Sequence, residues 1–236
     1  VLGIISNNEY NVIGYSFAGW NTKADGSGTD YQPGDKVSNL TADNAATVYL
    51  YAKWSPNTDT KYTVNIYAPK LVVTGQDANG VDIYGVSEEY ELINYWDEYG
   101  TTGETAEYNK DNETFDSEHY IFERSTSERI KGDETTEINA YYGRKVYKLV
   151  YDLDGGVLGD GAYTAEGSDI YYGAPVVEPT VTKPGYKVYF WSWQYSDEDR
   201  TVTYSPYWRE VIGDYKYTLN VYKENIDGSG YTLSPQ

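Results

Sequence analysis

Two aromatic segments near the start of the chain constrain its fold most strongly. Residues 14–20 read Gly-Tyr-Ser-Phe-Ala-Gly-Trp, and residues 48–54 read Val-Tyr-Leu-Tyr-Ala-Lys-Trp. In the second segment aliphatic residues occupy every second position, which is the period of two that a β-strand imposes on its side chains. The residues between them include Asp-Gly-Ser-Gly at 25–28 and Pro-Gly-Asp at 33–35, which favour turns. The pattern predicts a strand, a polar loop and a second strand, with one strand face in the core.

The composition favours strands over helices throughout. The 236 residues include 29 Tyr, 23 Gly and 6 Trp, with no Met and no Cys, and aromatic residues are enriched in strands. Compact domains usually have about 50 to 200 residues, so the length allows two to four small domains. Without cysteine, their stability has to come from aromatic cores and not from disulfides. We therefore expect a mainly β protein made of several small domains.

One strand pattern occurs twice. Residues 61–67 (Lys-Tyr-Thr-Val-Asn-Ile-Tyr) alternate polar and apolar side chains, and residues 216–222 (Lys-Tyr-Thr-Leu-Asn-Val-Tyr) repeat this pattern 155 positions later (216 minus 61). Similarity at a fixed offset is typical of an array of modules. Residues 55–60 are polar or turn-forming, which predicts a linker before the first copy.

Three further segments carry predictions about local structure. Residues 87–99 could begin a helix with Ser87 as its N-cap, but alternation from Tyr90 onwards favours a strand. Residues 172–179 suit a very short helix, with Pro175 in its first turn and Pro179 ending it. Pro206 lies within a segment that is otherwise strand-like, so we expect it at a sheet edge or at a bulge.

The opening Gly-Tyr-Ser-Phe-Ala-Gly-Trp at 14–20 and the closing Tyr-Ala-Lys-Trp at 51–54 resemble the internalin-type B-repeat, also called the Listeria-Bacteroides repeat. Residues 149–156, followed by Lys-Pro-Gly-Tyr at 183–186, resemble a second B-repeat. The second copy departs from the family, because 17 positions separate Trp191 from Trp208 (208 minus 191), against 34 between Trp20 and Trp54 (54 minus 20). Phe-Trp-Ser-Trp at 190–193 also replaces the usual Ala-Gly-Trp.

The segment between these copies resembles the MucBP-like repeat of mucin-binding proteins. The similar residues are Gly-Thr-Thr-Gly-Glu at 100–104, Ile-Lys-Gly-Asp at 130–133 and Ile-Asn-Ala-Tyr-Tyr-Gly-Arg at 138–144. Both resemblances imply small β-grasp (ubiquitin-like) modules in tandem, with short helices or loops crossing twisted sheets, an α+β variant of the mainly β class. They also imply a bacterial surface protein and bring no catalytic residue. The MucBP resemblance implies glycoprotein binding for some members of that family.

We expect four pieces on this basis. They are a truncated or atypical B-repeat (residues 1–55), a MucBP-like module (61–147), a shortened B-repeat (148–213) and the first strand of a further MucBP-like module (214–236). Modules that follow one another through short linkers contact only their neighbours, so we expect an elongated monomer. The N-terminus lacks the pattern of a signal peptide, and the chain is expected to be an excerpt of a longer protein.

The charge excludes two classes of partner. The formal net charge is -19, with 37 acidic residues against 18 Lys and Arg. Nucleic acids and anionic membranes are bound by Lys and Arg, so we expect neither partner. No apolar run approaches the roughly 20 residues that span a bilayer, so we expect no membrane insertion within this chain.

The residues that would carry catalysis are scarce. His119 is the one histidine, and without cysteine no nucleophile and base combination stands out. We expect His119 at the surface, directly before a strand at residues 120–122. A zinc site would need several Cys or His ligands. No pair among the 37 carboxylates is singled out for glycoside hydrolysis. We expect no enzyme.

Calcium is the one cofactor that the sequence allows. Eleven carboxylates and one lysine lie between Glu88 and Glu118, and calcium takes six to eight oxygen ligands. Asp111, Glu113 and Asp116 are the candidate ligands. A solvated acidic surface explains the same residues and is the favoured alternative.

The aromatic residues allow a second function. Trp20, Trp54, Trp191 and Trp208 are expected in cores, whereas Trp96 and Trp193 are expected to be exposed. Exposed aromatic faces stack on sugar rings, so Trp96, Trp193 and Tyr195 are the candidate ligand-binding residues. The favoured function is a non-catalytic stalk and adhesion region. It would be extracellular and anchored to the Gram-positive cell wall through parts of the protein outside this chain. The alternative is a module that binds glycans or glycoproteins of host or bacterium.

Overall fold

The computed structural model describes residues 3–43, 45–111, 114–162, 164–211, 213, 222–224 and 231–233. Within these ranges every regular element is a β-strand, which confirms the mainly β class. The strands are β1 (Gly3–Ile4), β2 (Tyr15–Asn21), β3 (Asp30–Tyr31), β4 (Lys36–Val37), β5 (Tyr51–Pro56), β6 (Thr60–Gln76), β7 (Asp82–Gly100), β8 (Thr105–Glu107), β9 (Tyr120–Ser125), β10 (Ser127–Arg129), β11 (Glu137–Arg144), β12 (Val146–Tyr151), β13 (Val157–Leu158), β14 (Asp169–Tyr171), β15 (Val181–Thr182), β16 (Tyr186–Ser196), β17 (Thr201–Glu210), β18 (Tyr222–Glu224) and β19 (Tyr231–Leu233).

The chain divides into two compact units. The first runs to Tyr147 and includes Ile170–Pro175, and the second holds Lys148–Asp169 and the chain from Val176 onwards. The predicted repeat at 216–222 lies almost wholly outside the described residues, and of its span only Tyr222, the first residue of β18, is placed.

The first sheet of the first unit has the order β3-β2-β5, and both pairings are antiparallel. The closing strand begins at Tyr51 and not at Val48 as predicted. Its ladder with β2 ends where Asn21 faces Tyr51. Asn21 is buried, and its side-chain amide donates to the Gly26 carbonyl (3.1 Å) and the Asp30 carboxylate (2.6 Å). These bonds turn the chain away from β2 into a loop, and the described residues 45–50 belong to no strand.

Phe17 organises the aromatic residues of this sheet. Its ring meets the rings of Trp20 and Trp54 edge to face, with centroids 5.3 and 5.6 Å apart. Both tryptophans therefore lie in one cluster, as expected. Each is only half-buried, because a three-stranded sheet is too small to enclose two indole rings.

The main core of the first unit lies on a four-stranded sheet of order β7-β6-β11-β9. β6 and β11 are parallel neighbours, with five residue pairs from Thr63–Glu137 to Tyr67–Tyr141, and the outer pairings are antiparallel. Alternate residues of β6 and β11 point into the core, among them Val64, Ile66 and Ile138. Residues 87–99 belong to β7, so the prediction of a strand there is confirmed.

The predicted linker at 55–60 is short and held in place. β5 ends at Pro56 and β6 begins at Thr60. The Asn57 amide donates to the Gly14 carbonyl (2.9 Å), and the Thr102 amide donates to the Asn57 carbonyl (2.8 Å). Gly14 has a φ of 79°, and a Cβ there would collide with the Cα of Gly132. The polar composition of this segment therefore reflects backbone bonding and close packing.

The second unit is built on a sheet of order β14-β12-β17-β16. β12 and β17 are parallel over four residue pairs, from Lys148–Thr201 to Tyr151–Tyr204, and β16 and β17 form an antiparallel hairpin. Pro206 lies beyond the last of these parallel pairs and faces Trp191 of β16. β17 is thus an interior strand, but Pro206 lies where its ladder with β12 has ended, so the missing N–H removes no bond there.

The predicted short helix at 172–179 does not form. The Ala174 amide closes a turn on the Tyr171 carbonyl (2.9 Å), and the residues from Ala174 to Pro179 have no regular structure. Proline restricts the residue before it to extended conformations, which applies to Ala174 and Glu178 here. Two prolines four positions apart therefore keep the segment extended.

Candidate functional site

The β16–β17 hairpin presents two chemically different faces. Residues that face each other across an antiparallel pair lie on the same side of the sheet. Trp191, Val202 and Pro206 are buried and belong to the inner face. The opposite side, which we call the outer face, carries four cross-strand pairs: Lys187–Arg209, Phe190–Tyr207, Ser192–Ser205 and Gln194–Thr203.

An aromatic pair lies at the centre of the outer face. The rings of Phe190 and Tyr207 are parallel to within 5°, with centroids 4.8 Å apart. Phe190 is 48% exposed and Tyr207 is 56% exposed. An edge bulge between Val188 and Phe190 brings Tyr189 beside them, with its centroid 5.6 Å from that of Phe190. The hairpin therefore exposes a continuous aromatic surface.

A pair of cations borders this aromatic surface. Lys187 and Arg209 face each other across the hairpin, and both are exposed. The Arg209 guanidinium lies 5.6 Å from the ring centroid of Tyr189. Neither cation forms an ion pair with a residue in the described ranges.

A groove of about 540 Å³ runs beside the outer edge of β16. It separates β16 from the extended segment at 178–183, and Tyr186, Lys187, Tyr189 and Phe190 contribute to its wall. Lys183 closes one part of it and is already engaged, because its ammonium donates to the Asp154 carbonyl (2.6 Å). Among the described residues of its wall, Lys187 is therefore the cation without an ion pair.

Two of the three predicted ligand-binding aromatics lie on the inner face. Trp193 is 61% exposed and stacks on Tyr204, with centroids 5.9 Å apart and planes 22° apart. Tyr195 is half-buried on the same strand face. Burial raises the pKa of Tyr204 to about 12, and the neighbouring phenols of Tyr195 and Tyr151 add to the shift. These side chains form an aromatic cluster on the inner face, near the turn that joins β16 to β17.

The third aromatic candidate, Trp96, was expected to be exposed but is not. It lies on β7 in the first unit, is half-buried and packs against the main core. Its indole N–H donates to the Glu98 carboxylate (2.9 Å). The alternation around Trp96 gave its strand correctly, but its face was determined by the register with β6, where Trp96 is opposite the buried Val64.

The calcium candidates show no assembled site in the part of the chain that is described. Asp111 is exposed and pairs with the Lys110 ammonium (3.0 Å), and the Asp116 carboxylate accepts the Glu118 amide (3.0 Å). Glu113 lies outside the described residues. Among the residues placed, no three of His, Asp and Glu converge as metal ligands would.

His119 is packed more tightly than a surface residue. Its ring stacks on Tyr172 with centroids 4.5 Å apart, and Nδ1 lies 2.9 Å from the Tyr147 hydroxyl. His119 directly precedes β9, as expected, but it is half-buried because its ring packs against Tyr147 and Tyr172. Within the described ranges, no helix is long and apolar enough to cross a membrane.

The outer face was not among the sites predicted from the sequence. Phe190, Tyr207, Lys187 and Arg209 are not neighbours in sequence, and the bulge after Val188 shifts the alternation of β16. A signal was present in the two Tyr or Phe residues beside Trp191 and Trp208, which must point away from those tryptophans if the segments are strands.

No family model matches the chain, and no solved structure matches it. A protein of Evansella cellulosilytica named "Putative Gly-rich membrane protein" is 28% identical over 223 residues, which covers 92% of this chain and 24% of that protein. The chain thus spans about a quarter of the length of the curated relative that it matches.

Proposed function

We propose that the chain is a non-catalytic stalk and adhesion region of a bacterial cell-surface protein, made of small β-grasp modules in tandem. The observation that carries the proposal is a strand arrangement that both four-stranded sheets share. In each sheet, the strand by which the chain enters is the parallel neighbour of the last strand: β6 beside β11, and β12 beside β17. Both pairs lie at the centre of their sheets.

This arrangement suits a segment that transmits tension. Force on the chain pulls a module at the start of its first strand and at the end of its last strand. When these strands are parallel neighbours, the two points lie at opposite ends of the pair, so the strands are pulled past each other along their length. The hydrogen bonds between them, over five residue pairs in β6–β11, are then loaded together. An antiparallel hairpin pulled at its open end loses its bonds one at a time.

The sequence supports the same proposal independently. The resemblance to B-repeats and MucBP-like repeats implies tandem modules at the bacterial surface. The relative in Evansella cellulosilytica is named as a membrane protein and is about four times longer than the matched part, which agrees with a parent protein held at the cell surface. Anchoring to the cell wall would reside in parts outside this chain.

Single-molecule force spectroscopy tests the mechanical role. The chain contains no cysteine, so two introduced cysteines define the points of pulling. Asp59→Cys with Lys145→Cys loads β6 against β11 along their length. Asp59→Cys with Tyr99→Cys opens the β6–β7 hairpin, whose ends at Thr60 and Gly100 are paired. We expect the first pair to withstand a several-fold higher force at the same pulling speed. Equal forces in the two geometries would refute the tension-bearing role.

Protease treatment of intact cells tests the location. Cells that carry the parent protein should lose an antibody epitope in this chain when trypsin is added outside, while a cytoplasmic protein stays intact. An epitope that is protected until the cells are lysed would exclude a position at the surface.

A further inference from the structure

We infer that the outer face of the β16–β17 hairpin binds an anionic oligosaccharide, with Lys187 and Arg209 on its acidic groups and Phe190 and Tyr207 against a sugar ring. This site is separate from the aromatic residues that the sequence suggested, and it adds a ligand to the mechanical role. It does not depend on that role.

The first argument is the charge of Lys187 and Arg209. Like charges that face each other across a strand pair are destabilising, and acidic partners are abundant in a chain with 37 Asp and Glu. Yet these two cations face each other, and no described acidic residue pairs with either of them. A bound carboxylate or sulfate between them would relieve their repulsion and accept charge-assisted hydrogen bonds.

The second argument is the exposed aromatic pair beside the cations. The rings of Phe190 and Tyr207 stack on each other, so their edges and outward faces remain exposed, and both residues are about half exposed. Exposed apolar patches of this kind mark binding sites more often than single exposed residues do. The apolar face of a sugar ring packs against an exposed aromatic ring face, and tyrosine provides such contact area with little loss of conformational freedom.

The third argument is the polar continuation of the outer face. Beyond the aromatic pair lie Ser192, Ser205, Gln194 and Thr203, which supply hydroxyl and amide groups for sugar hydroxyls. From Lys187 to Gln194 the strand covers roughly 20 Å at about 3.3 Å per residue. The face therefore has the length of an oligosaccharide, with cations at one end and neutral polar groups at the other.

Other partners fit these observations less well. A peptide that adds to a sheet needs free backbone groups at an edge, whereas the face of a paired hairpin offers only side chains. A nucleic acid would need several cations along its phosphates, and the outer face has two on a chain of net charge -19. An acidic surface of a second copy would satisfy the cations but would leave the aromatic pair unexplained.

Titration calorimetry on the whole chain tests the inference. The probes are three hexasaccharides: oligogalacturonate, which carries carboxylates, a heparin fragment, which adds sulfates, and cellohexaose, which is neutral. We expect at least one anionic probe to bind at least tenfold more tightly than cellohexaose, with an affinity that falls as salt is raised from about 20 to 150 mM. The comparison of the two anionic probes identifies the acidic group that is preferred.

Matched variants distinguish binding at the outer face from unspecific electrostatic attraction to the chain. Lys187→Gln with Arg209→Gln should weaken binding of the anionic probe at least tenfold, and Phe190→Ala should weaken it although both cations remain. Lys23→Gln with Lys36→Gln removes the same number of charges from exposed positions in the first unit and should leave binding unchanged. Circular dichroism melting confirms that each variant is folded.

Several results would overturn the inference. They are equal losses in the two charge variants, equal binding of cellohexaose, or no binding of any probe at low salt. Self-association in sedimentation runs that Lys187→Gln with Arg209→Gln abolishes, without saccharide binding, would assign the face to a second acidic copy. None of these outcomes affects the force measurements, so this inference and the proposed mechanical role can fail separately.

Discussion

The Arg144 guanidinium donates from Nη2 to Oε1 of Glu91 at 2.7 Å, and it joins three parts of the first unit. Its other nitrogens donate to the carbonyls of Pro69 (2.8 Å) and Tyr172 (3.1 Å). The Arg144 side chain is only 6% exposed, whereas that of Glu91 is 44% exposed. The arginine is therefore the partner that the fold depends on.

This asymmetry predicts unequal effects of two substitutions. Arg144→Met removes a charge-assisted donor from the partly buried carbonyls of Pro69 and Tyr172, so we expect the free energy of unfolding of the first unit to fall by about 3 kcal/mol. Glu91→Gln keeps a hydrogen-bond acceptor at a half-exposed position, and the expected loss is about 1 kcal/mol or less. Urea unfolding measures both values, and a larger loss for Glu91→Gln would contradict the assignment.

The contact between Gly14 and Gly132 predicts a steric effect with a close control. Gly14 has a φ of 79°, and a Cβ added there would collide with Gly132. Gly80 has a φ of 78°, and a Cβ added there would meet open space. Both substitutions to Ala carry the same backbone strain of about 1 kcal/mol, and only Gly14→Ala adds a clash. We expect Gly14→Ala to lower the midpoint of urea unfolding clearly more than Gly80→Ala. Equal midpoints would show that the linker is not packed as described.

The half-buried state of Trp20 predicts a moderate loss on truncation. Fully buried tryptophans lose about 3 to 5 kcal/mol on truncation to Ala. Trp20 keeps one edge contact with Phe17 and donates its N–H to the Ser6 carbonyl (3.1 Å), so we expect about 2 kcal/mol for Trp20→Ala. Tyr49→Ala, at a residue that is 68% exposed, serves as the control and should change the melting temperature little.

The raised pKa of Tyr204 predicts a loss of stability in alkali. The folded-state pKa is about 12, against about 10 for an unfolded tyrosine. The native state therefore holds its proton in a window where the unfolded state loses it, so stability is present below pH 10 and falls as the pH rises towards 12. Tyr204→Phe cannot ionise and should make unfolding of the second unit less dependent on pH across this window. An unchanged slope of unfolding free energy against pH would refute the assignment.

The sequence alone determined the mainly β class of the protein and several of its strands. Alternation and β-branched or aromatic composition predicted strands at 61–67 and from Tyr90, and these lie in β6 and β7. Such predictions succeed because the alternation of side chains is a local property of an extended chain. Trp20 and Trp54 were expected in a core because large rings in a small sheet have few other places to pack, and both contact Phe17 in one aromatic cluster.

Only the tertiary structure decided which face and which edge each residue occupies. Trp96 is held against the core by its register with β6, and Pro206 is tolerated because the ladder between β12 and β17 has ended before it. The polar residues around Asn57 form part of a packed junction with Gly14. The outer face, with Lys187 opposite Arg209, exists only through the register of β16 with β17. Strand register depends on contacts between residues far apart in sequence, and no local pattern encodes them.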